Sequence, residues 1–333
     1  VSYLQMVEER SSNAPDYVNP ASLTPVAGTN KYMELDGKRV VMYDYAKPSE
    51  GTEVFRNDKV LLSYVKSPDG TMALYEEWDG KSPREEIYRH SFTSDYYVAC
   101  PDGSKIRIDD VRDIAFAPNS KYLAMSYQND LFIYDLTTNE IYNITDDGKW
   151  NHIINGTTDW VYEEEYGFTR AYAFSPDGKE IAYLKFDESR VKEFEMMRYD
   201  TNLYNVAYRF KYPKAGEENS RVTMHVYNVA SRQTRDIDLG ENVDQYIPRI
   251  DYTPAGKLFF YRVNRLQNHF EVVMVEDDGT QRIIYDESDD RYVERPSDAT
   301  VTFIDGERFI VREETTTGWY HLYLHSPEVI APM

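Results

Sequence analysis

Cysteine is almost missing. Cys100 stands alone among 333 residues, so no intrachain disulfide can staple the fold, and paired-cysteine metal sites of the CxxC kind are excluded. Glycine is spaced in a way that removes two classes of chemistry. None of the 16 glycines lies four residues from another, so the GxSxG elbow of serine hydrolases is absent, and none lies two apart, which removes GxGxxG and related phosphate cradles. Positive charge is also short. Against 58 Asp and Glu stand 37 Lys and Arg, a net charge of −21 with a pI near 4.7. Such a balance argues against nucleic acid as a partner, because phosphate binding needs basic patches, and equally against anionic membrane surfaces. No apolar run approaches the roughly 18–20 residues that a spanning helix requires. The sequence starts at Val1 with no initiator Met, basic n-region or apolar run, so the expectation is that any signal segment has been removed or lies outside the chain.

What is present is core-forming material: 41% hydrophobic residues and 14% aromatics, including 30 tyrosines. Short apolar runs alternate with turn residues along nearly the whole chain. The turns stand at Leu35-Asp36-Gly37-Lys38, Ser67-Pro68-Asp69-Gly70, Ala117-Pro118-Asn119-Ser120, Ser175-Pro176-Asp177-Gly178, Thr253-Pro254-Ala255-Gly256 and Ile304-Asp305-Gly306-Glu307. Pro presets φ early in such a turn, and Gly or Asn tolerates φ > 0 later, so each reads as a tight hairpin. In the clearest unit, Val111–Thr145, strands are expected at 114–116, 122–127, 131–136 and 140–144. Four antiparallel strands in roughly 35 residues, recurring about every 50, point to an all-β propeller of four-stranded blades rather than to a sandwich.

Residues 31–333 read as these blades, about five and part of a sixth, and residues 1–30 carry no clear structural assignment. Only three strands are visible in the last unit, which makes the chain an incomplete propeller fragment on this reading. Extra sequence interrupts the repeat between Trp78 and Tyr96, between Asp146 and Tyr172, and between Phe186 and Val222. On a repeat scaffold, function concentrates in such insertions.

The six histidines do not assemble a recognisable metal motif. His321 and His325 are four apart, but Leu322 stands where a zinc protease has Glu, within a strand pattern. No metal and no cofactor is expected. The dense constellation is Asp159-Trp160-Val161-Tyr162-Glu163-Glu164-Glu165, in the second insertion. A run of carboxylates is ordinarily solvated surface, but Trp160 and Tyr162 give this one apolar anchors. Carboxylates held close together repel, so a docking cation relieves the repulsion and gains charge-assisted hydrogen bonds. A peptide α-ammonium, with three donors, suits such a site.

Asp159–Glu165 resembles the double-glutamate motif of the dipeptidyl peptidase IV family, prolyl-oligopeptidase-like serine exopeptidases. The resemblance extends to Tyr88-Arg89-His90-Ser91-Phe92-Thr93, similar to the family's arginine-bearing segment, and to the landmarks Tyr212-Pro213-Lys214-Ala215-Gly216 and Asn264-Arg265-Leu266-Gln267-Asn268, in the family's order. It runs from about Lys59 to Leu324. In that family an eight-bladed propeller caps an α/β-hydrolase domain that carries most of the triad, which fits the absent GxSxG, so no catalytic residue is expected in this chain. The resemblance implies that Glu164 and Glu165 hold the substrate's free N-terminus, that Arg89 contacts a substrate carbonyl or carboxylate, and that Glu163 is the structural member of the trio. Phe168 and Arg295 are weaker subsite candidates, since the segment 166–170 is a residue shorter than in mammalian members and no aromatic adjoins Arg295 in sequence.

The expected function is therefore the substrate-gating region of an enzyme that removes dipeptides, with Pro or Ala at the second position. Its expected partners are a peptide with a free N-terminus, a C-terminal hydrolase domain of the same parent and, since family members often dimerise, a second copy. A binding-only propeller is the alternative, opposed by the four ordered motifs. Sialidases and WD repeats are excluded by the missing Asp boxes and the single Trp-Asp dipeptide. Two glycosylation sequons, at Asn143 and Asn155, stand beside a single cysteine and no anchor, and the expected location is the bacterial periplasm or outside the cell.

Overall fold

The computed structural model describes residues 23–199, 203–314, 318–326 and 330–332. Antiparallel strands carry nearly all of its regular structure, and three of its six sheets are four-stranded and run in simple order, the blade pattern of the β-propeller class. The cause is local. At the repeated turns the chain reverses because the fourth residue adopts a left-handed conformation: Gly70, Gly178 and Gly256 have φ of 76°, 68° and 85°, and Ser120 takes 59° at the same place. Each of these residues closes its turn through an N–H to the carbonyl three residues back, at 2.8–2.9 Å.

The chain divides into two compact units. The first comprises Val1–Lys66, Met72–Pro83 and Tyr96–Arg107. Its leading sheet runs in simple order through Thr24–Val26, Lys31–Asp36, Arg39–Asp44 and Lys47–Arg56. That sheet begins inside the segment 1–30, whose residues 1–22 lie outside the described residues. Val40, Leu61 and Tyr75 form the core here, with Phe55, Tyr64 and Tyr97 packed around them. The buried Glu77 carboxylate sits among these strands. Desolvation works to raise its pKa, but hydrogen bonds from Lys105 (2.8 Å), Asn57 (3.0 Å) and Lys59 (3.0 Å) outweigh it and hold the pKa at about 2.

The second unit comprises Ser67–Thr71, Arg84–Asp95 and Ile108–Met333. The strands expected in Val111–Thr145 are found at Tyr122–Tyr127, Asp130–Asp135 and Glu140–Asn143, preceded by the longer Lys105–Phe116. Next come a sheet built on Glu180–Asp187 and Arg221–Asn228, and one running in order from Gln245 to Ser288. The last sheet differs from the sequence reading. It has a fourth strand, Ile330–Pro332, paired with His321–His325. The proline conceals this strand in the sequence, yet an edge strand tolerates it because one side of its backbone needs no partner. The core is continuous from Ile154 through Phe186, Ile247, Phe260 and Phe270 to Phe309. Asn155, one of the two sequon asparagines, is fully buried and donates to Asp130 and Asp147, so it offers no surface for a glycan.

Candidate functional site

The second insertion folds around a seven-residue helix, α1, Trp160–Tyr166. The sequence gives no helical period over so short a stretch, but its ends are well specified. The Asp159 side chain caps the N-terminus by accepting the Tyr162 N–H at 3.0 Å, and Gly167, with φ of 68°, ends the helix with its N–H on the Glu163 carbonyl. The other Asp159 oxygen accepts the Ser220 hydroxyl at 2.5 Å. Both aromatic anchors are used. Tyr162 is buried, edge-on to Phe186 with ring centroids 4.8 Å apart, and its hydroxyl accepts the Ile247 N–H at 2.9 Å. Trp160 lies over Tyr212, centroids 3.9 Å apart.

Consecutive helical residues point about 100° apart, so the three glutamates enter three environments. Glu163 is 1% exposed. One of its oxygens accepts the backbone N–H groups of His90 at 2.6 Å and Ser91 at 3.1 Å, which ties the segment carrying Arg89 to the helix. Glu164, its side chain 16% exposed, pairs with the 72%-exposed Arg89 at 3.3 Å. Glu165, 62% exposed, faces Arg295 at 3.6 Å. The helix thus brings together Arg89, Glu163 and Glu164, and separately Glu165 and Arg295. A carboxylate accepts up to about four hydrogen bonds, and a single guanidinium contact leaves most of that capacity open on Glu164 and Glu165.

A cavity of about 740 Å³ adjoins Glu164 and Arg89, lined also by Trp160, Tyr208, Phe210 and Tyr212. A second, of about 870 Å³, is lined by Arg295, Tyr166, Tyr292 and Tyr320. Sequence reasoning missed the aromatics Tyr166 and Tyr320 around Arg295, because they come from distant parts of the chain. Phe168 has a different setting. Its ring packs on the core edge-on to Tyr162, and the Arg249 guanidinium lies 4.4 Å above it, so its contacts brace α1. Away from α1, His269, Glu271 and Asp286 bring three metal-capable donor atoms within 4.8 Å of one another, but Arg262 already pairs with Glu271 at 2.6 Å.

Close to the Asp159 cap lies Glu188, buried, with its Oε2 lacking a hydrogen-bond partner among the described residues. Burial and then the Asp159 charge push its pKa from 4.5 up to about 8, against the opposing effect of Lys211. Between those two values the folded chain keeps a proton that the unfolded chain has released, so this residue's contribution makes the fold less stable as pH rises through that window. Glu188→Gln removes the ionisation. At pH 8 the variant is expected to be more stable than the wild type by about 2–4 kcal/mol, with the difference vanishing near pH 4.5. Urea unfolding at both pH values measures this, and a pH-independent difference would contradict it.

Residues 67–330 match the family described as "Dipeptidyl peptidase IV (DPP IV) N-terminal region". The chain is 31% identical over 292 residues to a probable dipeptidyl peptidase 4 of Aspergillus flavus, covering 80% of this chain and 36% of that protein. It is 30% identical over 336 residues to dipeptidyl peptidase 4 of Trichophyton rubrum, covering 92% and 42%. The crystal structure of Porphyromonas gingivalis dipeptidyl peptidase 4 superposes with a TM-score of 0.84 at 31% identity, over 92% of this chain and 45% of that one. A putative dipeptidyl aminopeptidase IV from Bacteroides ovatus, at 19% identity and a TM-score of 0.63, supports the fold alone. The chain spans less than half the length of these relatives. With most of its length matched and its four ordered motifs inside the match, the chain belongs to the dipeptidyl peptidase IV family and carries that family's N-terminal region.

Proposed function

We propose that this chain is the substrate-gating region of a serine dipeptidyl peptidase, in which Glu164 and Glu165 bind the α-ammonium of a peptide. Arg89 takes a substrate carbonyl or carboxylate close by, and Arg295 contacts the peptide on the far side of Glu165. The nucleophile belongs to an α/β-hydrolase domain elsewhere in the parent protein, so this chain alone is inactive. The parent works in the periplasm or outside the cell, as a homodimer, on peptides with Pro or Ala second.

The observation that carries this reading is Glu164, a mostly buried carboxylate that opens on a cavity and has only an exposed arginine for an ion-pair partner among the described residues. Fixing the ammonium there turns binding energy into register, because only a peptide bond at a set distance from that charge then reaches the nucleophile. Cleavage register tests it. Given a peptide whose first four residues are two favoured dipeptides, the full-length parent is expected to release the two dipeptides in succession, read by mass spectrometry. Release of single residues or tripeptides would contradict the reading.

A further inference from the structure

The third insertion, 186–222, forms a β-hairpin of its own, with Glu193–Arg198 paired to Val206–Lys211. The register sets Met196 opposite Tyr208 and Arg198 opposite Val206, and strand alternation puts Arg198 and Tyr208 on one face. That face meets the segment bearing Arg89. The Tyr208 hydroxyl donates to the Ile87 carbonyl at 2.6 Å, and Arg198 Nη2 donates to the Glu86 carbonyl at 3.2 Å. The Arg198 guanidinium lies 3.9 Å above the Tyr208 ring, so the two donors form one unit.

The segment itself is a compact turn with Arg89 near its apex. Ile87 N–H bonds the Ser91 carbonyl at 2.9 Å, and the buried Tyr88 ring packs against Phe210 and Trp150. Glu163 holds the following backbone through His90 and Ser91, so the turn is gripped by α1 on one side of Arg89 and by the hairpin on the other. An exposed arginine gains little from one ion pair and loses rotamer freedom in making it. Where its guanidinium sits is therefore decided by where its backbone is held.

We propose that Tyr208 and Arg198 are positioning residues for substrate recognition: by holding the Ile87 and Glu86 carbonyls they fix Arg89 beside Glu164, so that the hairpin, which also lines the cavity there, sets the affinity of the site through where Arg89 stands. This rests on the reading of Glu164 and Arg89 as substrate-binding residues.

Tyr208→Phe is the informative substitution, because it keeps the ring and its packing against Phe210 and Trp150 and deletes only the hydroxyl. In the full-length parent, the loss of one hydrogen bond is expected to lower kcat/KM about three- to tenfold, nearly all of it in KM. Arg198→Met, which keeps the stem over the ring, should act in the same direction and carries the test if Tyr208→Phe does not fold, as judged by its melting transition. The decisive measurement is a double-mutant cycle with Arg89→Met, in which the Tyr208→Phe effect is expected to shrink to less than about twofold. If Arg89→Met and Glu164→Gln raise KM but the Tyr208→Phe effect is absent or simply additive, the positioning role is wrong and the binding site stands. If Arg89→Met and Glu164→Gln leave KM unchanged, the binding site and the positioning role both fall.

Discussion

An N-acetylated peptide is expected to be cleaved by the full-length parent about 10²- to 10³-fold less efficiently than the same peptide with a free amine, a loss of roughly 3–4 kcal/mol in kcat/KM. Acetylation removes the positive charge and two of the three donors while leaving the scissile bond untouched. The partially buried Glu164 carboxylate then faces a neutral amide, with the desolvation of substrate binding uncompensated. Added bulk at the nitrogen works in the same direction, so an uncharged isostere of the free amine separates charge from size. The charge account requires that isostere to lose most of the same factor.

Glu164→Gln is expected to reduce kcat/KM on free-amine dipeptide substrates by roughly 2–4 kcal/mol, about 30- to 1000-fold. The amide retains one acceptor but turns an NH₂ toward groups that only donate, Arg89 and the incoming ammonium. Stability should change little, because an ion pair to a 72%-exposed arginine contributes at most about 1 kcal/mol. A large drop in activity with a nearly unchanged melting temperature is therefore the signature. Glu165→Gln should act in the same direction more weakly, since its 62%-exposed side chain is better screened than that of Glu164, at 16%. Wild-type turnover in both variants would remove the assignment.

The turns were the most legible part of the fold because their chemistry is local. Ser67–Gly70, Ala117–Ser120, Ser175–Gly178 and Thr253–Gly256 each reverse the chain where Pro and a left-handed residue dictate. Helix α1 escaped notice because seven residues are too few for a hydrophobic period, although Asp159 and Gly167 mark both of its ends. Glutamates that stand together in sequence are separated by the helix into a buried anchor and two outward charges. Their arginines are non-local, Arg89 lying 75 residues from Glu164, and residue spacing alone does not pair them. Only the family resemblance singled out Arg89. The same holds for the hairpin, visible in sequence as excess length and in structure as the source of Tyr208 and Arg198. Two sequence landmarks acquire structural roles: Tyr212 is the platform under Trp160, and Arg265 donates to the Glu217 carbonyl at 2.8 Å.

The central claim, that Glu164 recognises the charge of a peptide's N-terminus, is tested most directly by the ratio of kcat/KM for free and N-acetylated forms of one peptide, measured in the full-length wild type and in Glu164→Gln. The account predicts a ratio of about 10² or more in the wild type that falls at least about tenfold in the variant, because the group that distinguishes the two substrates has lost its charge. An equal ratio in both proteins, whatever their absolute rates, would contradict it.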